Sequence, residues 1–158
     1  MIDYRPIAPD DIGKLCRDIR PADKIEAEAT HNSVREALEQ SIDVSHEAFT
    51  TTEYGEPICF AGIALHEMRG QVVGMPWLLG TERVYQNPMA LIRTGVKYVD
   101  EYEPHVDVMH QMVWEENHPS LKFLSRLDFK PNGVRIVRNG YTFTMLQRGG
   151  LCVRRLHG

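Results

Sequence analysis

The stretch from Val106 to Phe129, VDVMHQMVWEENHPSLKFLSRLDF, constrains this chain more than any other. It reads as a buried strand, then a turn at Asn117, then a short helix opened by Pro119 and ending at Asp128-Phe129. A strand that turns so quickly into an amphipathic helix calls for a sheet covered by helices.

The flanking sequence extends that pattern. Met1 to Ile7 reads as a first strand, and Asp10 as the cap of a helix carrying Ile12, Leu15 and Cys16. Pro21 interrupts, and one helix from about Ala22 to Gln40 follows, with Ile25, Ala29, Val34, Ala37 and Leu38 at helical spacing. His46–Thr52 and Pro57–Leu65 form a hairpin around Tyr54-Gly55-Glu56. Val72–Leu79 is a further strand, and Pro76 inside it implies an edge, a bulge or a splay, because proline cannot donate to a ladder. A helix from Pro88 to Glu103 buries Leu91, Ile92, Gly95, Val96 and Val99. The end of the pattern is a hairpin of Val134–Val137 and Tyr141–Leu146 with Asn139-Gly140 at its tip. The expected organisation is one domain over residues 1–147 and a basic tail over 148–158.

At 158 residues the chain suffices for one sizeable core. A net charge of -4 argues against a general nucleic-acid binder. No apolar run approaches the ~20 residues of a membrane span, and the N-terminus lacks the basic and apolar regions of a signal peptide. Cys16, Cys59 and Cys152 are odd in number and widely spaced, which fits free thiols in a reducing compartment. Cys59, inside Ile58-Cys59-Phe60-Ala61, reads as core.

The order of elements resembles the GNAT fold of acyl-CoA N-acetyltransferases. More narrowly, it resembles GNAT-like proteins of short-tailed bacteriophages, a family that includes minor and internal virion proteins. The residues that carry the resemblance are Ile19-Arg20-Pro21-Ala22-Asp23, Gly55-Glu56-Pro57, Trp77-Leu78-Leu79-Gly80-Thr81, Val99-Asp100-Glu101-Tyr102 and Asn117 to Phe129. They span roughly residues 14–147, and WLLGT is the most specific. The resemblance implies an α/β (α+β) architecture, with a mixed, mostly antiparallel central sheet, helices on both faces and strands splayed near the middle.

Acetyl transfer in such a fold needs a splayed strand for the pantetheine arm and backbone N–H groups for the pyrophosphate. It also needs an acid for the departing thiolate and a base for the amine. Trp77, Leu78, Leu79, Gly80, Thr81, Arg83 and Asn117 are the positions that match the cofactor side. The loop Thr81–Asn87 lacks the expected glycines, and Val84, Tyr85 and Glu82 would crowd or repel a phosphate. In the resembled motif a tyrosine acid follows the asparagine by seven residues; here that position is Leu124, which has no proton to give. The glycine of the closing Gly-Phe is Asp128. Glu115, Glu116 and His118 are the candidates for a base, weighed against exposed acids that favour the next helix N-terminus.

These departures lead to the expectation of a non-catalytic structural or accessory virion protein with no cofactor. It would be made in the bacterial host cytoplasm and act through protein contacts, with Arg148, Leu151, Val153, Arg154 and Arg155 as tail anchors. The alternative is an acyl-CoA-dependent N-acetyltransferase with an atypical site, using acetyl-CoA. His105, His110 and His118 lack metal-ligand spacing, so no metal is expected.

Overall fold

The structure is a computed structural model that describes residues 2–150. The chain opens with strand β1 (Ile2–Arg5) and three helices, α1 (Pro9–Asp18), α2 (Pro21–Thr30) and α3 (Val34–Val44). Strands β2 (Glu47–Glu53), β3 (Glu56–Met68) and β4 (Gln71–Gly80) follow, then a 3-10 turn over Glu82–Gln86 and α4 (Pro88–Tyr102). A second 3-10 turn, Glu103–His105, leads into β5 (Val108–Trp114), α5 (His118–Arg126), β6 (Lys130–Arg138) and β7 (Tyr141–Gly149).

The seven strands form one sheet in the order β1-β2-β3-β4-β5-β7-β6. Every pairing is antiparallel except β4 with β5. That parallel pair consists only of Val73 with Val108 and Gly74 with Met109, after which the two strands diverge. Pro76 lies two residues past the last pair, so the proline falls where the ladder on that side has already ended.

Alternation along β3 builds a core on each face. Phe60 packs with Leu15 of α1 and Leu38 of α3 on one face. Ile63 joins Met109, Val113, Val99 of α4 and Leu124 of α5 on the other. Gly62 is needed where Trp77 crosses β3: a Cβ there would sit 2.5 Å from the Glu47 carbonyl and 2.9 Å from the indole nitrogen. That indole donates to Ser45 Oγ at 2.8 Å.

Several sequence expectations change. The single helix from Ala22 to Gln40 is two helices, broken at His31–Ser33, where Ser33 Oγ accepts from Glu36 N and caps α3. Asp10 does not cap α1. Asp11 does, accepting the Ala8 amide at 2.7 Å while held by Arg5 at 2.6 and 2.9 Å. These donors, Arg5 first, keep the Asp11 carboxyl below its usual range. β7 runs to Gly149, so Arg148 lies in the sheet and not in a tail, ion-paired to Asp100 at 2.6 Å. Leu151, Val153, Arg154, Arg155 and Cys152 lie outside the described residues. The hairpin at Asn139-Gly140 forms as expected, with both residues at positive φ.

Candidate active site

Helix α2 lies across the open end of the diverging strands. Asp23, on its first turn, accepts the Gly80 amide at 2.8 Å, which fixes it to the end of β4. Glu26, one turn later, accepts the Trp114 amide at 2.9 Å, which fixes it to the end of β5. The two acids are three residues apart and face the same way because of the helical repeat. Together they hold open the gap that the sheet has left.

The Asp23 carboxylate is buried and meets the buried guanidinium of Arg20 at 2.7 Å. Burial keeps its carboxyl above the ordinary range despite that partner. The Arg20 guanidinium also stands 5.4 Å from the Tyr85 ring centroid.

Glu26 is different: among the described residues it has no cation in contact. Its Oε1 accepts both the Trp114 amide and the Asn117 side-chain amide, each at 2.9 Å. Burial pushes its carboxyl up to about 7, and the two hydrogen bonds only partly oppose that. A carboxylate with this affinity for protons exchanges them readily near neutral pH.

Glu26 lines a cavity of about 470 Å³ that occupies the strand gap and continues beneath α4 and beside α5. Its walls are mainly apolar, including Leu78 of β4, Val113 of β5, Leu91 of α4 and Phe123 of α5. Lys122 and Arg126 contribute from exposed positions on α5, and neither has an acidic partner among the described residues. Between Gly74 and Gly80 the side of β4 that faces β5 has no sheet partner among the described residues, which leaves backbone groups there to bond an extended ligand.

The residues singled out from the sequence divide sharply. Leu78 lines the cavity; Trp77 borders it but packs on the face of Phe60, Leu15 and Leu38. Leu79 packs on the opposite face with Phe60 and Leu15. Gly80 donates its amide to Asp23. Thr81 donates its hydroxyl to the Ile58 carbonyl and caps the 3-10 turn. Within that turn the Arg83 amide is bonded to Thr81 Oγ1 and the Val84 amide to the Thr81 carbonyl. Two amides that would otherwise face a phosphate are therefore engaged internally. The Arg83 side chain lies 3.9 Å from Glu53.

Asn117 is 1% exposed, caps α5 through Ser120 N and holds Glu26. Glu115 is clamped by Arg135 at 2.5 and 2.9 Å, which keeps its carboxyl below the usual range, and it does not line the cavity. Glu116 and His118 are exposed and also stand outside it. Leu124 lines the cavity from a buried position. Asp128 takes the left-handed conformation, φ 66°, that a glycine would fill without strain. His110 sits 3.3 Å from Gln147 Oε1 and belongs to no cluster with His105 or His118.

Glu26 escaped the sequence reading because its partners lie 88 and 91 positions away. The available signal was acidic residues at 23 and 26, beside the buried Ala27, on one face of a short helix.

No protein-family model and no curated protein sequence matches this chain. Solved structures do. One is an acetyltransferase of the GNAT family from Bacillus anthracis, at TM-score 0.65 and 9% identity, with 93% of each chain covered. Another is the aminoglycoside acetyltransferase AAC(6')-Ib in complex with coenzyme A, at TM-score 0.66 and 10% identity over 100% of both chains. A third is Arabidopsis thaliana NAA60 in complex with acetyl-CoA, at TM-score 0.60 and 18% identity, covering 94% of this chain and 98% of that one. The seven-stranded, mostly antiparallel sheet splayed between β4 and β5, with helices on both faces, is the GNAT acetyltransferase fold.

Proposed function

We propose that this chain is an acyl-CoA-dependent N-acyltransferase in which Glu26 accepts the proton of the acceptor amine. The observation that carries the reading is the Glu26 carboxyl, raised to about 7, within a cavity that fills the strand gap.

The amine nitrogen attacks the thioester carbonyl, a C–N bond forms and the C–S bond breaks. The proton released by the amine passes to the Glu26 carboxylate and from there to solvent. The departing thiolate takes its proton from water, because Leu124 stands where a tyrosine would deliver one. The free backbone of β4 fits the pantetheine arm. The turn after β4 does not fit a glycine-type phosphate cradle, since two of its amides are engaged. Lys122 and Arg126 at the cavity edge are the groups that would meet the phosphates. Bound coenzyme A in AAC(6')-Ib and acetyl-CoA in NAA60 support the ligand class.

Calorimetric titration of the purified chain with acyl-CoA, together with a thiol-release assay across a panel of amines, tests the reading. Micromolar binding with amine-dependent thiol release supports it. No binding at millimolar ligand overturns it.

A second reading is a non-catalytic virion component that acts through protein contacts. It draws on Leu124 at the acid position and on the internally bonded turn after β4. It predicts no thiol release with any amine.

A further inference from the structure

The cavity reaches beyond the strand gap onto the face of β3 that α4 covers, where Ala61 and Thr94 line it. On the face of β3 beneath α4 stand Cys59 and Ala61, both small. Ala61 is flanked in register by Phe49 on β2 and Leu78 on β4, and Cys59 by Thr51. Above Ala61, α4 presents Thr94, while Gly95 turns toward α5, where a Cβ would sit 2.9 Å from Leu127. Short side chains below and above leave a void that runs on from the strand gap.

That arm of the cavity is apolar in effect. Its charged lining groups, Arg20, Glu26, Lys122 and Arg126, belong to α2, α5 and the linker before α2. None of them is on β2, β3 or α4. Two of its hydroxyls are bonded at the far side. Thr94 Oγ1 accepts from the Tyr4 hydroxyl at 3.1 Å, and the Tyr98 hydroxyl donates to Glu47 at 3.4 Å. Burial pushes the Cys59 thiol up to about 11, as expected of a dry surrounding. A lining that is mainly apolar holds water poorly and takes apolar ligands.

We propose that the void beneath α4 receives the hydrocarbon tail of a medium-chain acyl thioester, so that the group transferred is longer than acetyl. This rests on the acyltransferase reading above and deepens it. With the thioester carbonyl in the strand gap near Glu26, an apolar continuation for a chain leads toward Ala61. Bond changes are those of the transfer already described, with the longer acyl group carried unchanged from sulfur to nitrogen.

The test is calorimetry on the full chain with acetyl-CoA and octanoyl-CoA, repeated on Ala61→Phe and on Thr94→Leu. Each methylene buried adds roughly fourfold to affinity. Octanoyl-CoA is therefore expected to bind at least about tenfold more tightly than acetyl-CoA even with partial burial. Each substitution should bring the ratio of the two affinities toward one, the first by filling the floor and the second the roof. A circular-dichroism melt of each variant identifies any that fails to fold, and the remaining one decides. Equal affinities in the wild type, or an octanoyl preference that survives a folded variant, overturn the proposal while leaving the transferase reading standing. Failure of both thioesters to bind overturns that reading and the proposal with it.

Discussion

Glu26 Oε1 on α2 accepts a hydrogen bond at 2.9 Å from the side chain of Asn117, the residue that caps α5. The same oxygen takes the Trp114 amide, so both bonds need only an acceptor, which an amide oxygen also provides. Glu26→Gln should therefore fold with these contacts kept, yet lose the proton acceptor. The rate with a saturating amine is expected to fall by about two to four orders of magnitude. In the wild type, the rate should rise with pH through about 7, where the Glu26 carboxyl deprotonates, and this limb should vanish in the variant. Steady-state rates between pH 5.5 and 9 measure both.

The same shift makes a stability prediction with a definite sign. Folding raises the Glu26 carboxyl from 4.5 to about 7, so the folded state binds the proton more tightly than the unfolded state. The wild type should lose stability as pH rises from about 4.5 to about 7, by at most about 3 kcal/mol for this group. Glu26→Gln does not titrate. Its stability relative to the wild type should grow over that window and be flat above it. Urea unfolding of the two proteins at pH 5 and pH 8 gives the difference directly.

Asn117→Ala removes one of the two donors that partly oppose burial at Glu26 and also the cap of α5. Stability should drop by about 1–3 kcal/mol. The pH limb of activity should move to higher pH, because the Glu26 carboxylate has lost a stabilising partner. Asn117→Asp should move it further, since it sets a like charge against Glu26. An unmoved limb in both would detach Asn117 from the proton step.

Much of this molecule could be read from local pattern. The strand, turn and helix from Val106 to Phe129 formed because Asn117 and Pro119 carry their own backbone instructions. Pro76 signalled an edge, a bulge or a splay for an equally local reason, its missing N–H, and the divergence after Gly74 is what occurs. The break between α2 and α3 was also local, since Ser33 and Glu36 have the spacing of a capping box. The helical spacing of apolar residues on both sides, from Ile25 to Leu38, concealed it. Glu26 is a different case. Its proton affinity arises from burial against two strand ends brought together from far along the chain. The helix it sits on looks like any alanine- and glutamate-rich segment. Glu115 and Glu116 attracted attention by sequence position, but Arg135 on β6 holds the first and solvent surrounds the second.

Lys122 and Arg126 sit one turn apart on α5 at the edge of the cavity. If they meet the phosphates of the thioester, Lys122→Gln and Arg126→Gln should each weaken CoA binding by about fivefold at most at low salt, as exposed charge contacts do. The wild-type advantage should shrink as salt is raised to ~1 M, where the screening length is about 3 Å. Calorimetry at two ionic strengths checks both claims. Neither change should alter the pH limb set by Glu26.

Asp23 is the mechanical counterpart of Glu26. Its Oδ2 gathers Arg20 Nε at 2.8 Å, Arg20 Nη2 at 2.7 Å and the Gly80 amide at 2.8 Å, all buried. Asp23→Ala strands the Arg20 guanidinium without a partner and should cost about 3–5 kcal/mol. Replacing both, with Arg20→Met and Asp23→Leu, removes the buried charges together and should recover most of that loss. The Gly80 amide would still lack its acceptor, leaving a deficit of about 1–3 kcal/mol. Because that amide is one of the ties between α2 and the end of β4, beside the Arg20 amide bonded to the Gly80 carbonyl at 2.8 Å, the double variant should hold Glu26 less firmly over the gap. Its expected signature is a urea midpoint above that of Asp23→Ala though still below the wild type's, with a reduced rate at saturating substrate. A rate equal to the wild type in the double variant would mean that the Trp114 and Asn117 bonds alone position Glu26.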